Sequence, residues 1–275
     1  MKNLNTYIEE GLADWEDDKL DKKISKQTSE STIKKEIKQW IKENYSDVKV
    51  NSLLIDFTDD GIMVDYMPSN KQTCIRLKPR RALTNGLFEW RNIGSSFSCE
   101  HTFAETLKGG PKTVEGNFHC NLCGKLTSLE GAPEKVGKEF NCSHCVSLKS
   151  LEDAPKEVWD FDCSCCPLLT NLEGSPDKVK GFFLCYWCND LKNLKGAPKE
   201  VGDSFDCHNC KSLTSLKGAP KKVGISFICN KCKSLKTLEG MPNEIGIDFS
   251  CTECGTKFTK EDVRKLSNVK EFIFV

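Results

Sequence analysis

Residues 136–155 read VGKEFNCSHCVSLKSLEDAP, and the phrase returns four times: VWDFDCSCCPLLTNLEGSP at 158–176, VKGFFLCYWCNDLKNLKGAP at 179–198, VGDSFDCHNCKSLTSLKGAP at 201–220 and VGISFICNKCKSLKTLEGMP at 223–242. The shared pattern is Val, two or three residues, then Phe-x-Cys-x-x-Cys-x-x-Leu-x-x-Leu-x-Gly-Ala-Pro. First cysteines fall at Cys120, Cys142, Cys163, Cys185, Cys207, Cys229 and Cys251, a period of 22 residues with one step of 21 where VWDF is a residue short. A degenerate copy around Cys99, IGSSFSCEHTFAETLKGGP, comes first, so about eight units span 93–254. Phe-x-Cys alternates, which puts Phe and Cys on one face of a short strand. Pro closes the unit because it cannot extend a hydrogen-bonded ladder. One unit holds a Val, a Phe, two Cys and two Leu for burial, too few to fold alone. Stacked units make one continuous core. At ~4.8 Å per strand, eight units build a rod roughly 40 Å long.

The expected fold is therefore a repeat solenoid: short parallel strands stacked in one sheet, with mostly loop and turn on the other side. Residues 31–92 are expected to form a small α+β N-terminal cap, and 255–275 a helix-strand C-terminal cap. The pattern resembles a leucine-rich repeat with Phe and Cys in strand slots. Phe140 and Cys142 match two inward positions, Cys145 the Asn-or-Cys position, and Leu148 the Leu that follows. It also resembles the cysteine-containing "SLEGAP" repeats of large tailed phages and gut bacteria. That resemblance covers about 60% of the chain. It implies a non-enzymatic, phage-encoded scaffold for protein binding, in the cytoplasm of a host cell or packaged in the virion. It says little about which partner such a scaffold takes.

Composition bounds the alternatives. Forty basic and forty acidic side chains give no net charge, which argues against coating nucleic acid or an anionic membrane. The N-terminus has no apolar core of signal-peptide length. Seventeen cysteines, an odd number, cannot all pair internally. Together these predict reduced thiols and a reducing setting. Two readings of the cysteines remain open. In the first they are core side chains, in phase with Phe and Leu. In the second, seven CxxC pairs bind zinc, with Cys120, Cys123, Cys142 and Cys145 as the first quartet to test and nucleic acid as a possible contact. The odd number of pairs, and Thr102 standing where the Cys99 unit should have its second cysteine, favour the first. Cys165, beside Cys166, is expected to be an exposed thiol, and Cys74 falls outside the repeat.

Outside the array, residues 1–30 read as a flexible charged arm. MKNLNTYIEE resembles the leader of proteins packaged in phage heads, and Ile8, Glu10 and Gly11 fit a cleavage after Glu10. That resemblance implies phage capsid or assembly proteins as partners of the arm. STIKKEIKQWIKENY places Ile33, Ile37, Trp40 and Ile41 on one helical face, with Ser31 or Thr32 as cap. NSLLIDFTDDGIMVDYM is a hairpin turning at Asp59-Asp60-Gly61. The basic run Lys78-Pro79-Arg80-Arg81 reads as a solvated loop. Thr259 caps a helix over 260–266, after which Val269, Phe272 and Phe274 resume the strand phase.

Residues between the inward Phe and Cys face outward and are mostly Asn, Asp, Ser and His. One unit departs from this. GFFLCYWC directs Phe182, Leu184, Tyr186 and Trp187 outward, which predicts a binding hot spot. Asp160 and Asp162 on one side, with Asp206 and His208 on the other, form its expected polar rim, and Ile228 extends it two units on. No catalytic constellation or phosphate-cradling glycine loop is legible. A purely structural virion component is the remaining rival.

Overall fold

The computed structural model describes residues 30–59, 61–69, 72, 74–78, 83–84 and 86–275. The expected arm up to residue 29, its Ile8–Glu10–Gly11 cleavage motif and Pro79, Arg80 and Arg81 lie outside the described residues.

The molecule is a parallel-strand β-solenoid of about nine turns. Each unit contributes two short strands rather than one. A Val strand comes first (Glu157–Val158, Lys178–Val179, Glu200–Val201), then, after a corner, a Phe strand (Asp160–Asp162, Phe183–Leu184, Phe205–Asp206). The Phe strands stack into an eleven-stranded sheet, and the Val strands into sheets of six and five. The expected single sheet with loop opposite is thus corrected in one respect. The Val-Gly step that reads as a turn carries a second ladder, because its Val faces inward and its backbone pairs from unit to unit. The Val sheet divides at the short unit, where Trp159 and Asp160 both donate their N–H to the Lys138 carbonyl.

Strict register does the packing. Phe97, Phe118, Phe140, Phe161, Phe183, Phe205, Phe227 and Phe249 form one buried column, with neighbouring ring centroids 5.1–6.0 Å apart and planes within 25° of parallel. Such offset stacking adds to the burial of each ring. The Leu pairs, such as Leu169 and Leu172, and both cysteine columns up to Cys232 are enclosed beside it. In-register stacking would also align like charges, and the sequence avoids this. The residue before each Val runs Lys135, Glu157, Lys178, Glu200, Lys222, Glu244, so unlike charges alternate, with Lys222 3.2 Å from Glu244.

The N-terminal cap extends the solenoid rather than standing apart from it. Helix α1 (Glu30–Asn44) buries Ile33, Ile37 and Ile41 as its spacing predicts, with Trp40 partly buried. Ser31 and Thr32 already lie within the helix, so neither is the cap. Strand β1 (Tyr45–Ser46) and the antiparallel hairpin β2 (Leu53–Thr58) and β3 (Gly61–Tyr66) follow, with Thr58 paired to Gly61 at its end. Strand β4 (Cys74–Leu77) pairs in parallel with Ser96–Ser98, and Ile75 takes the place of Phe beside Phe97. Antiparallel β1 and β2 close the two sheets, so neither offers an open parallel edge here. Tyr45 tilts onto Phe97, accepts from Trp90 Nε1 (3.1 Å) and donates to the Leu83 carbonyl (2.6 Å), finishing the ring column.

At the other end helix α2 (Lys260–Leu266) has the expected Thr259 cap, reinforced by Asp262 in a capping box. The strand Phe272–Phe274 differs from expectation by one residue. Ile273 pairs with Phe249 and turns inward (6% exposed), while Phe272 and Phe274 face out, 56% and 50% exposed. A slip of one residue inverts every side chain of a strand.

Candidate functional site

Two features concentrate chemistry: the cysteine columns and the apolar unit at 179–188. The cysteines are all free thiols, and all but three of the seventeen are buried. The first cysteine of each pair fills the core beside Phe. The second has a further task. Cys123 Sγ donates to the Cys99 carbonyl (3.1 Å), Cys145 to Cys120 (3.2 Å), Cys166 to Cys142 (3.3 Å), Cys188 to Cys163 (3.3 Å), Cys210 to Cys185 (3.2 Å) and Cys232 to Cys207 (3.3 Å). Each S–H therefore satisfies a buried carbonyl one unit earlier. Thr102, the replacement in the degenerate unit, donates its hydroxyl to the Cys99 carbonyl at 2.8 Å.

This arrangement requires protonated sulfur, and burial supplies it. The donors Cys145, Cys166, Cys188 and Cys210 are pushed above the ordinary thiol range by loss of solvent, and so are the first cysteines Cys120, Cys142, Cys163 and Cys185 beside them. Zinc-bound cysteine is a thiolate and cannot donate. The quartet Cys120, Cys123, Cys142 and Cys145 is spread over two units, with the second sulfur of each pair turned to a carbonyl. Among the described residues no group of three or more His, Cys, Asp or Glu is placed to hold a metal.

The apolar unit presents its side chains as its alternation predicts. Phe183 and Cys185 go inward; Phe182, Leu184 and Tyr186 are half-buried on the outer face, and Trp187 is 46% exposed. Parallel pairing aligns Asp162, Leu184, Asp206 and Ile228 in one row across that face. Tyr186 stacks on His208, with centroids 4.8 Å apart and planes within 14°. His208 Nδ1 lies 2.9 Å from Asp206 Oδ1, which fixes the imidazole under the tyrosine. Trp187 sits at the left-handed corner of the CxxC turn (φ 59°) and donates its N–H to the His208 carbonyl (3.0 Å); the Lys211 ammonium rests 5.9 Å above its ring.

The rim differs in part from expectation. Asp206 and His208 border the strip, but Asp162 is only 8% exposed. Its Oδ1 accepts from the Ser164 N–H at 2.9 Å, closing the next turn, as Asn141 does for Ser143 and Asp206 for His208. Burial raises the Asp162 carboxyl above its usual range. Asp160 likewise accepts from the Phe182 N–H (2.9 Å), so it orients the first aromatic of the strip.

Sequence reading missed the strip's other end. Trp159 is 55% exposed, and a Cβ placed on Gly181 would lie 2.9 Å from its Cδ1, so the indole abuts the head of the aromatic unit. The shortened VWDF unit was the available signal. An apolar band therefore runs from Trp159 on one turn of the solenoid to Phe182, Leu184, Tyr186 and Trp187 on the next. Leu122, Val146 and Leu168 lie exposed on the turn side of earlier units and were also missed. Compared with protein-family models, with curated proteins and with solved structures, the chain matches none.

Proposed function

We propose that this protein is a non-enzymatic scaffold whose rigid strand face binds a protein partner through the band Trp159–Trp187. The observation that carries this is the band itself, half-buried aromatics flanked by the exposed Trp159 and Trp187, in a face lined elsewhere mostly by polar side chains, Ile228 apart. Large apolar side chains held in place by the backbone ladder give contact area with little ordering cost on binding. Tyr and Trp are the residue types on which interface energy concentrates. Asp206 on one flank and Asp160 on the other favour a partner that sets Lys or Arg beside its apolar side chains. The leucine-rich-repeat likeness, the phage origin and a place in the virion or host cytoplasm belong to this proposal and rest on the repeat and leader resemblances.

The test is a comparison of bound partners for the wild type and a Tyr186→Ser/Trp187→Ser double variant. Both positions lie outside the core column, so the circular dichroism and melting behaviour should match. Loss of two central anchors should weaken the complex by about 30-fold or more. An unchanged set of partners at unchanged affinity removes the band from the interface.

A further inference from the structure

The seven CxxC turns are copies of one geometry, and the last departs from the rest. In the first six the second cysteine is buried and spent on a carbonyl one unit earlier. Cys254 makes that contact too, 3.1 Å from the Cys229 carbonyl, but it is partly exposed, and the Cys251 thiol donates to its sulfur at 3.0 Å. The cause lies in the next turn of chain. It has no cysteine, leaves the repeat path for helix α2 and returns with Ile273 in the ring column. The last sulfur of the ladder therefore reaches solvent beside a second sulfur.

We propose that Cys251 and Cys254 are a modification site, a thiol pair converted reversibly to a disulfide by a hydroperoxide. A four-residue turn, Cys251-Thr252-Glu253-Cys254 with Glu253 at φ 56°, joins them. Such turns hold their outer Cα atoms within about 7 Å, overlapping the ~4.4–6.8 Å range of disulfides. Cys254 is the solvent-accessible member of the pair, and the Lys233 ammonium lies against the same turn, 2.9 Å from the Glu253 carbonyl, so the Cys254 sulfur is the attacking group once it gives up its proton.

The step balances as follows. The Cys254 thiolate attacks one peroxide oxygen; the S–O bond forms, the O–O bond breaks, and the departing oxide takes a proton to leave as water or an alcohol. Cys254 is then a sulfenic acid. The Cys251 sulfur attacks it, the S–S bond forms, and the hydroxyl leaves as water with the Cys251 proton. Two thiols are oxidised and one peroxide bond is reduced. The other accessible thiols lack this partner. Cys74 Sγ turns to the Ile75 carbonyl (3.7 Å), and Cys166, next to Cys165, points inward to Cys142.

The experiment treats the reduced, folded full chain with hydrogen peroxide, blocks free thiols without unfolding, and maps cysteine states by peptide mass spectrometry. The first product should be a peptide linked Cys251–Cys254, restored by dithiothreitol. Cys254→Ser should lose this product and Cys165→Ser should keep it; if the former folds poorly, Cys251→Ser serves, with a stable sulfenic acid at Cys254 expected instead. Oxidation first at Cys165 or Cys74, or overoxidation of Cys254 in wild type without linkage, overturns the proposal.

Discussion

Replacing Cys145 by alanine and by serine separates the two duties of a buried thiol here. Alanine leaves the Cys120 carbonyl without its 3.2 Å donor. An unsatisfied buried acceptor costs ~1–3 kcal/mol, and serine, which keeps a donor, should cost less. Urea denaturation in reductant and chelator reads the difference; equal losses would reduce Cys145 to a space-filler. The first cysteine of each pair is legible in the sequence because Phe-x-Cys alternation fixes its face. The second is not, because its acceptor lies 25 residues earlier and no local pattern encodes that contact. Asp162 was misread for a related reason. Its position marks it as outward, but only the fold shows its oxygen closing the turn at Ser164.

At the scale of elements, the turn after the second Leu is filled by glycine at φ 82–91° in most units and by Asp153 at φ 68° in one. Left-handed backbone costs a side-chain-bearing residue about 1–2 kcal/mol, less for Asp than for most. Asp153→Gly should therefore raise stability by up to ~1 kcal/mol. Gly174→Ala should lower it by more, since its new Cβ would also collide with the Glu152 backbone. Thermal melts of the two variants should move in opposite directions; a stabilising Gly174→Ala would deny the turn its conformational constraint. These turns were readable as Gly-Ala-Pro punctuation. The Val strands were not, because a two-residue strand has no periodicity of its own and exists only through its neighbours. The C-terminal strand shows the same limit: Phe272 and Phe274 outrank Ile273 in hydrophobic bulk, yet the register set by Phe249 turns Ile273 inward.

For the whole molecule, the thiol column makes stability a collective function of pH. Cys99, Cys120, Cys142, Cys163, Cys185, Cys207 and Cys229 all sit far above the ordinary thiol range, burial being the main cause. In the unfolded chain each would ionise near pH ~8.5. Below that value both states hold the proton and the column contributes its full stability. Above it the unfolded chain binds fewer protons than the fold, so stability falls as pH rises, toward the raised folded values. Each thiol contributes ~1.4 kcal/mol per pH unit, and seven together ~10 kcal/mol. That matches the whole stability of a typical domain, ~5–15 kcal/mol, so the core is expected to fail within about one to two pH units above the thiol range. Nearest-neighbour stacking spreads the failure along the rod, since a unit that opens uncovers the sulfurs of the next. Circular dichroism and thiolate absorbance, followed together in reductant, should change in one transition. Thiolate appearing at its ordinary pH while the strand signal persists would mean that solvent reaches the column in the folded state, and the cysteines would no longer be core.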